Sequence, residues 1–195
     1  MIPVFDVGEF PPFELEGNGS VPEEAWIDDG SPDPANEEYF GWVDVSGSEF
    51  DQLLAWEAQE LQRLDFEEST AEGFERAAAA MNEGRDDGDF DWDVTELSAI
   101  LDFGIVSCVA ALHHLGVPTT SSCRGHFGRR DGRDVPYVRF VGDQIDADTW
   151  ALIQSCAKTS NCHLFACGSG LVELIGSSCA DMVGFARGVR ETRLS

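Results

Sequence analysis

Residues 119–126 read Thr-Thr-Ser-Ser-Cys-Arg-Gly-His and bring together the side chains of this chain that are best suited to chemistry. The hydroxyl groups and nearby backbone N–H groups can hold a polar ligand, and Gly125 lets a ligand approach the backbone closely. Arg recognises phosphate and carboxylate through paired hydrogen bonds, and five Arg residues lie between positions 124 and 139. We therefore expect a site for an anionic or nucleotide-like ligand at the end of a strand. Its candidate residues are Thr120, Ser121, Ser122, Cys123, Arg124, Gly125, His126, Arg129, Arg130 and Arg139.

A purely structural role for this segment stays open. Thr and Ser favour strands and loops in any case, and Arg-rich turns are often simply solvated.

The same segment offers a candidate nucleophile. Cys123 could attack an electrophile with His126 as its general base, although no carboxylate that would orient the His can be identified from the sequence. Whether the chain is an enzyme is therefore left open.

A zinc-stabilised structural module is a third possibility. Cys123 and His126 have the spacing of metal ligands, and Cys162, His163 and Cys167 could complete a tetrahedral site. That arrangement requires the strand around residue 165 to lie beside the strand that carries Cys123.

The elements that must position these residues follow from the apolar pattern of residues 95–195. A helix ending at Gly116 is predicted from the apolar positions Leu97, Ile100, Leu101, Ile105, Cys108, Val109 and Leu112. Strands are predicted at 119–123, 136–141, 163–167 and 171–175, with helices from Asp146 or Asp148 to Ala157 and from Ser177 or Ser178 to Thr192. This order predicts an α+β fold, in which about four strands form one layer and the helices pack on one face.

The histidines at the end of the first of these helices are predicted to be structural. The negative end of the helix dipole there would favour a cationic ring on His113 and His114.

Within residues 95–195, the segment Thr120–Gly125 resembles the Thr-Ser-Ser-Cys-Ser-Gly-Arg strand of the methylases that act late in wybutosine synthesis on tRNA. Thr120, Ser121, Ser122, Cys123 and Gly125 match that motif, and the order of helix and strands is similar over about half of the chain. The resemblance implies a similar fold and pocket position, with S-adenosylmethionine as cofactor. Arg124 stands where the family has Ser, and His126 where it has Arg, so the methyl-transfer activity itself is not carried over.

The first half of the chain is strongly acidic. Of the 37 acidic residues, 28 precede residue 101 together with only three of the twelve Lys and Arg residues, so this half carries the whole net charge of −25. A capped helix from Ser48 to about Leu64, and a second that opens at a Ser69–Glu72 capping box and runs to about Asn82, are predicted here. They should direct most of their acids outward, Glu57 and Glu75 among them. We place a domain boundary in the acidic linker, with residues 1–94 as a partly irregular helical region and residues 95–195 as the α+β domain.

This charge predicts an interaction rather than direct nucleic-acid binding, because a polyanion is repelled. Residues 1–94 could dock a basic protein partner, imitate nucleic acid as an inhibitor does, gate the Arg-rich site, or reflect adaptation to salt. We also expect a cytoplasmic protein without a membrane span, since the longest apolar stretch is interrupted by polar residues and no signal peptide is visible.

Overall fold

The computed structural model describes residues 1–4, 45–83, 97–98, 101–125, 135–143, 145–168 and 170–193. The elements are α1 (Gly47–Glu67), α2 (Ala71–Glu83), α3 (Val106–His114), β1 (Thr119–Cys123), β2 (Tyr137–Val141), α4 (Ala147–Thr159), β3 (Cys162–Gly168), β4 (Leu171–Gly176) and α5 (Cys179–Arg193). None of the described helices is long and apolar enough to cross a membrane.

The four strands form one antiparallel sheet in the order β1-β2-β4-β3. Val138, Phe140 and Leu174 project from its central strands into the core, where they are fully buried. Helices α3, α4 and α5 pack against the sheet and against one another. The predicted α+β fold of four strands with a helical layer is therefore confirmed.

Helices α1, α2 and α4 begin at polar caps, as the sequence indicates, but two of these caps lie at other residues than predicted. Ser46, not Ser48, accepts from the backbone N–H of Glu49, whose carboxylate accepts from the N–H of Ser46 in return. Thr70, rather than Ser69, accepts from the N–H of Gly73 at the start of α2. Side-chain bonds of both kinds satisfy N–H groups that a helix leaves without partners.

The helix predicted to run continuously to Gly116 is interrupted. Leu97 and Ser98 are helical, but a turn over residues 102–105 separates them from α3, which begins only at Val106. Gly104 in that turn has a φ of +102°, a conformation that other residues rarely adopt. The apolar pattern continues across the break because Leu101, Phe103 and Ile105 are buried in the turn as well.

The predicted boundary at residues 84–93 lies outside the described residues. On either side of it the described helices belong to one hydrophobic core, since Phe50, Leu53 and Leu61 of α1 cluster with Leu112 of α3 and Val189 of α5. An exposed ion pair between Asp51 and Arg190 also joins α1 to α5. The acidic helix α1 is thus part of the core that supports the sheet.

Candidate functional site

The residues of the Thr-Thr-Ser-Ser-Cys-Arg-Gly segment divide between the two faces of the sheet. Ser122 is paired with Val138, whose side chain is in the core, whereas Ser121 and Cys123 are paired with Arg139 and Tyr137. Directly paired residues of neighbouring strands share a face, and successive residues alternate. Ser121, Cys123 and Arg139 therefore lie on the face opposite the helices.

Arg124 follows the last residue of β1 and turns to the helical side. Its Cβ lies beside Gly104, and its carbonyl oxygen accepts a weak hydrogen bond from Cys179 at the start of α5, with an S···O distance of 3.6 Å. The backbone N–H of Arg124 is 3.4 Å from the carboxylate of Asp102. The sheet, the turn before α3 and the start of α5 thus meet at this residue, away from Arg139.

The guanidinium of Arg124 is buried and only partly hydrogen-bonded. The residue is 4% exposed, and its Nη2 donates to Oε1 of Glu75 in α2 at 2.7 Å. Within the described part of the chain, Nε and Nη1 have no hydrogen-bond partner. A buried donor without an acceptor costs about 1–3 kcal/mol, more when the group is charged, so this arrangement needs an explanation.

Arg139, on the opposite face of the sheet, forms an ion pair with Glu173. Its Nε and Nη2 both donate to Oε1 of the buried Glu173, at 2.9 and 2.6 Å. Burial disfavours the charged guanidinium, but the hydrogen bonds and the charge of Glu173 outweigh it and raise the pKa of Arg139. Arg139 is therefore committed to an ion pair within the sheet.

The beginning of β1 carries a second group of buried polar atoms. Thr119 is hydrogen-bonded through its hydroxyl to Nε2 of His113 at 3.0 Å, while Nδ1 of His113 and Oγ1 of Thr120 have no partner among the described residues. Burial lowers the pKa of His113 to about 4, so its ring is neutral at pH 7. The expectation of a cationic ring at the end of α3 is wrong for His113, because desolvation outweighs the helix dipole.

His113 should make the fold sensitive to acid. Its pKa is about 4 in the folded chain and 6.5 when exposed, so protonation favours the unfolded state. We expect the stabilisation that comes from a neutral, buried His113 to be fully present above pH 6.5. As the pH falls towards 4, the free energy of unfolding should decrease by up to ~3 kcal/mol. Urea unfolding of wild type and His113→Gln at pH 7 and pH 4.5 would measure this, with a smaller loss in the variant. An equal loss in both would show that other groups cause the acid sensitivity.

Cys123 does not have the character of an activated nucleophile. Burial raises the pKa of its thiol, against the opposing effect of the Gly125 N–H, which lies 3.4 Å from Sγ. A thiol with a raised pKa is protonated at neutral pH, and the thiolate is the reactive form. The candidate general base His126 lies outside the described residues, as do Arg129 and Arg130.

Thiol labelling would test this assignment. With iodoacetamide at pH 7.5 we expect Cys167, which is exposed, to react at least tenfold faster than Cys123. Peptide mass spectrometry after short exposures gives both rates in the same sample. Preferential labelling of Cys123 would instead indicate an activated thiol.

The described residues among those proposed for a zinc site are not brought together. Cys123 is on the edge strand β1, whereas Cys162, His163 and Cys167 are on the opposite edge strand β3, about 14 Å away across three strand spacings. Cys162 is buried beside the sulfur of Met182 in α5, at 4.0 Å. No group of three potential metal ligands occurs among the residues that the structure describes.

The structure adds one residue, Glu57, that the sequence did not single out. Its side chain is fully buried, contrary to the outward direction expected for the acids of this helix. One carboxylate oxygen accepts from the N–H groups of Gly104 and Val106 at 2.7 and 2.9 Å, and the other accepts from the N–H and the hydroxyl of Ser107 at 2.8 and 2.5 Å. Ile105, at the cap position of α3, provides no side-chain cap, so Glu57 serves as the cap from another helix.

Two opposing effects act on the protonation of this carboxyl. Complete burial raises the pKa of Glu57, while the hydrogen bonds from Ser107, Gly104 and Val106 act in the other direction. The sequence contains a signal for the buried position, because Glu57 falls in the middle of the apolar stripe formed by Phe50, Leu53, Leu54, Leu61 and Leu64.

No protein-family model, curated protein or solved structure matches this chain. Its function must therefore be argued from the arrangement of its own residues.

Proposed function

We propose that this chain is a cytoplasmic α+β protein that binds the anionic group of a small ligand at the carboxyl end of β1, with Arg124 as the principal contact. The observation that carries the proposal is that Nε and Nη1 of Arg124 have no hydrogen-bond partner among the described residues, although this side chain is only 4% exposed. Arg124 directly follows Cys123, so the proposed site includes one end of the segment for which the sequence predicts a ligand site.

An anionic group accounts for this arrangement better than packing does. A buried charge is tolerated when it is paired and its hydrogen bonds are complete, and Glu75 supplies an acceptor only to Nη2. Phosphate and carboxylate oxygens suit the planar donors of Arg and form short, charge-assisted bonds with them. A ligand oxygen at Nε or Nη1 would remove the cost of the unpartnered donors.

The ligand classes that fit are phosphates, nucleotides and carboxylates. The same donors suit the carboxylate of S-adenosylmethionine, the cofactor implied by the methylase resemblance, which would supply a methyl group. Ser122 shares the helical face of β1 with Arg124 and provides a neutral hydroxyl for the remainder of such a ligand.

Ligand-dependent thermal stabilisation tests the proposal. A ligand that binds only the folded chain raises its stability in proportion to the logarithm of its concentration above Kd. We expect at least one of inorganic phosphate, AMP, malonate and S-adenosylmethionine to raise the Tm of wild type by several degrees, and to have little effect on Arg124→Gln. Arg190→Gln, which removes an exposed guanidinium paired with Asp51, is the matched control and should respond as wild type does. Equal shifts in wild type and Arg124→Gln would refute the assignment.

A second function, docking of a basic partner by the acidic half, is favoured by the surface at the end of α1. Phe66 is 92% exposed, and the neighbouring side chains of Asp65 and Glu67 are 52% and 50% exposed. An exposed aromatic ring among acids suits a partner that presents Lys or Arg around an apolar pocket. We expect a Lys–Leu amphipathic peptide to bind more weakly to Phe66→Ala and in higher salt, measured by fluorescence anisotropy. Binding indifferent to both changes would count against this role.

A further inference from the structure

The carboxylate of Glu75 already contacts the guanidinium to which we propose that the ligand binds. It accepts from Nη2 of Arg124 at 2.7 Å, and it is 21% exposed where Arg124 is 4% exposed. Glu75 therefore lies closer to solvent than the guanidinium that it contacts. A second anion that entered beside Nε or Nη1 would meet the negative charge of Glu75 at short range, and like charges so close are strongly unfavourable.

We propose that Glu75 is an internal occupant of the Arg124 site, which the anionic group of the ligand displaces. This inference rests on the proposed function, and it assigns to α2 a regulatory role at that site. In the free protein the Glu75 carboxylate partly neutralises the buried guanidinium. In the bound protein the ligand oxygens take its place, and the Glu75 side chain turns to solvent.

Helix α2 is anchored in the core, while the Glu75 side chain lies near the surface. Phe74 and Ala78 of α2 are buried in the hydrophobic core, which holds the helix in place. The more exposed carboxylate can regain hydration when it leaves Arg124, whereas Arg124 cannot, because it is buried below it. The exchange therefore replaces one partner of the buried cation by another and leaves no charge buried alone.

This exchange couples the acidic half to the site. The Arg124–Glu75 contact links α2 to the end of β1, across 49 positions of the chain. Ligand binding breaks this link, so the position of the Glu75 side chain reports the state of the site. Any interaction that fixes Glu75 on Arg124 weakens ligand binding by the same factor by which the ligand weakens that interaction.

Isothermal titration of wild type and Glu75→Gln with inorganic phosphate, at an ionic strength held constant with sodium chloride, tests the inference. We expect phosphate to bind Glu75→Gln about tenfold more tightly or better, because the competing negative charge is gone. Glu72→Gln is the matched control, since it removes an equal charge from an exposed position one turn earlier in α2. Its affinity should stay within about twofold of wild type, because exposed charges are screened.

The outcomes separate this inference from the proposed function. If phosphate binds wild type and Glu75→Gln equally, and not Arg124→Gln, the site is retained and the role of Glu75 is overturned. Weaker binding to Glu75→Gln also overturns it, because Glu75 would then orient Arg124 rather than compete for it. Binding of phosphate, AMP, malonate and S-adenosylmethionine to none of the variants overturns both proposals.

If Glu75→Gln does not fold, NMR of the wild-type protein can test the displacement of Glu75 instead. The ¹³Cδ resonance of Glu75 should move towards the position of a solvated carboxylate when phosphate saturates the protein. An unchanged resonance at saturation contradicts the displacement.

Discussion

Glu57→Ala is expected to lower the free energy of unfolding by about 4 kcal/mol, the largest effect of any single side-chain truncation that we consider. The truncation leaves the N–H groups of Gly104, Val106 and Ser107 and the Ser107 hydroxyl without their acceptor in a buried position. It also removes the acceptor that caps the positive end of α3. Since small domains are stable by only about 5–15 kcal/mol, a loss of this size is a large fraction of the fold's stability.

Urea unfolding followed by circular dichroism measures this loss. Glu67→Ala is the control, because it removes a half-exposed carboxylate of the same helix that pairs with Arg63, and it should cost less than about 1 kcal/mol. Glu57→Gln should fall between the two, since its amide oxygen can replace one carboxylate oxygen as acceptor while its amide nitrogen cannot. If Glu57→Ala costs no more than Glu67→Ala, water replaces the carboxylate at the start of α3 and the side chain is not required.

Gly104→Ala is expected to cost about 3–4 kcal/mol for two reasons that add. The residue has a φ of +102°, which is strained for Ala, and a methyl group there would lie 2.6 Å from Sγ of Cys179. Cys179 is buried at the start of α5 and packs beside Arg124, so it cannot retreat without disturbing the proposed site.

Gly116→Ala separates the cost of a positive φ from the cost of steric overlap with a neighbouring side chain. Gly116 has a φ of +76°, and beyond its chain neighbours no atom of the described residues lies within 4 Å of an added methyl group, so only the conformational cost of about 1 kcal/mol remains. Thermal unfolding of both variants gives the difference directly. The double variant Gly104→Ala, Cys179→Ala should recover part of the loss because the sulfur is gone. Equal costs at Gly104 and Gly116 would show that the turn adapts to a side chain.

Local rules were sufficient for the four strands and the last two helices of the second half. Segments rich in β-favouring residues and the hairpin signal at residues 168–170 predicted the strands. Asp146, one of the two candidate caps, caps α4 by accepting from the N–H groups of Asp148 and Thr149. The pattern failed between Leu97 and α3, because apolar residues continue through the turn and periodicity alone does not show that Gly104 breaks the helix. The sequence did contain a signal for this break, because Gly104 precedes a helical segment that has no polar cap residue of its own.

The features that could not be predicted from the sequence depend on contacts between residues that are distant along the chain. The pairing of Arg124 with Glu75 depends on where α2 packs, which its own apolar stripe does not specify. The strand order, which puts Cys123 and Cys162 at opposite edges, likewise cannot be read from spacing along the chain. For Glu57 the signal existed, as an acid inside an apolar stripe, but its partners in the turn before α3 could be found only in the folded chain.

The ¹⁵Nε–H resonance of Arg124 tests the central claim most directly. Because Nε of Arg124 has no partner in the part of the chain that the structure describes, a phosphate or carboxylate oxygen that binds there must change its environment. On titration with phosphate or with the ligand that stabilises wild type, this resonance should shift downfield and exchange more slowly with water. The Nε–H of Arg190 should stay unchanged. Saturable binding that leaves the Arg124 resonance unmoved would contradict the claim that Arg124 holds the ligand.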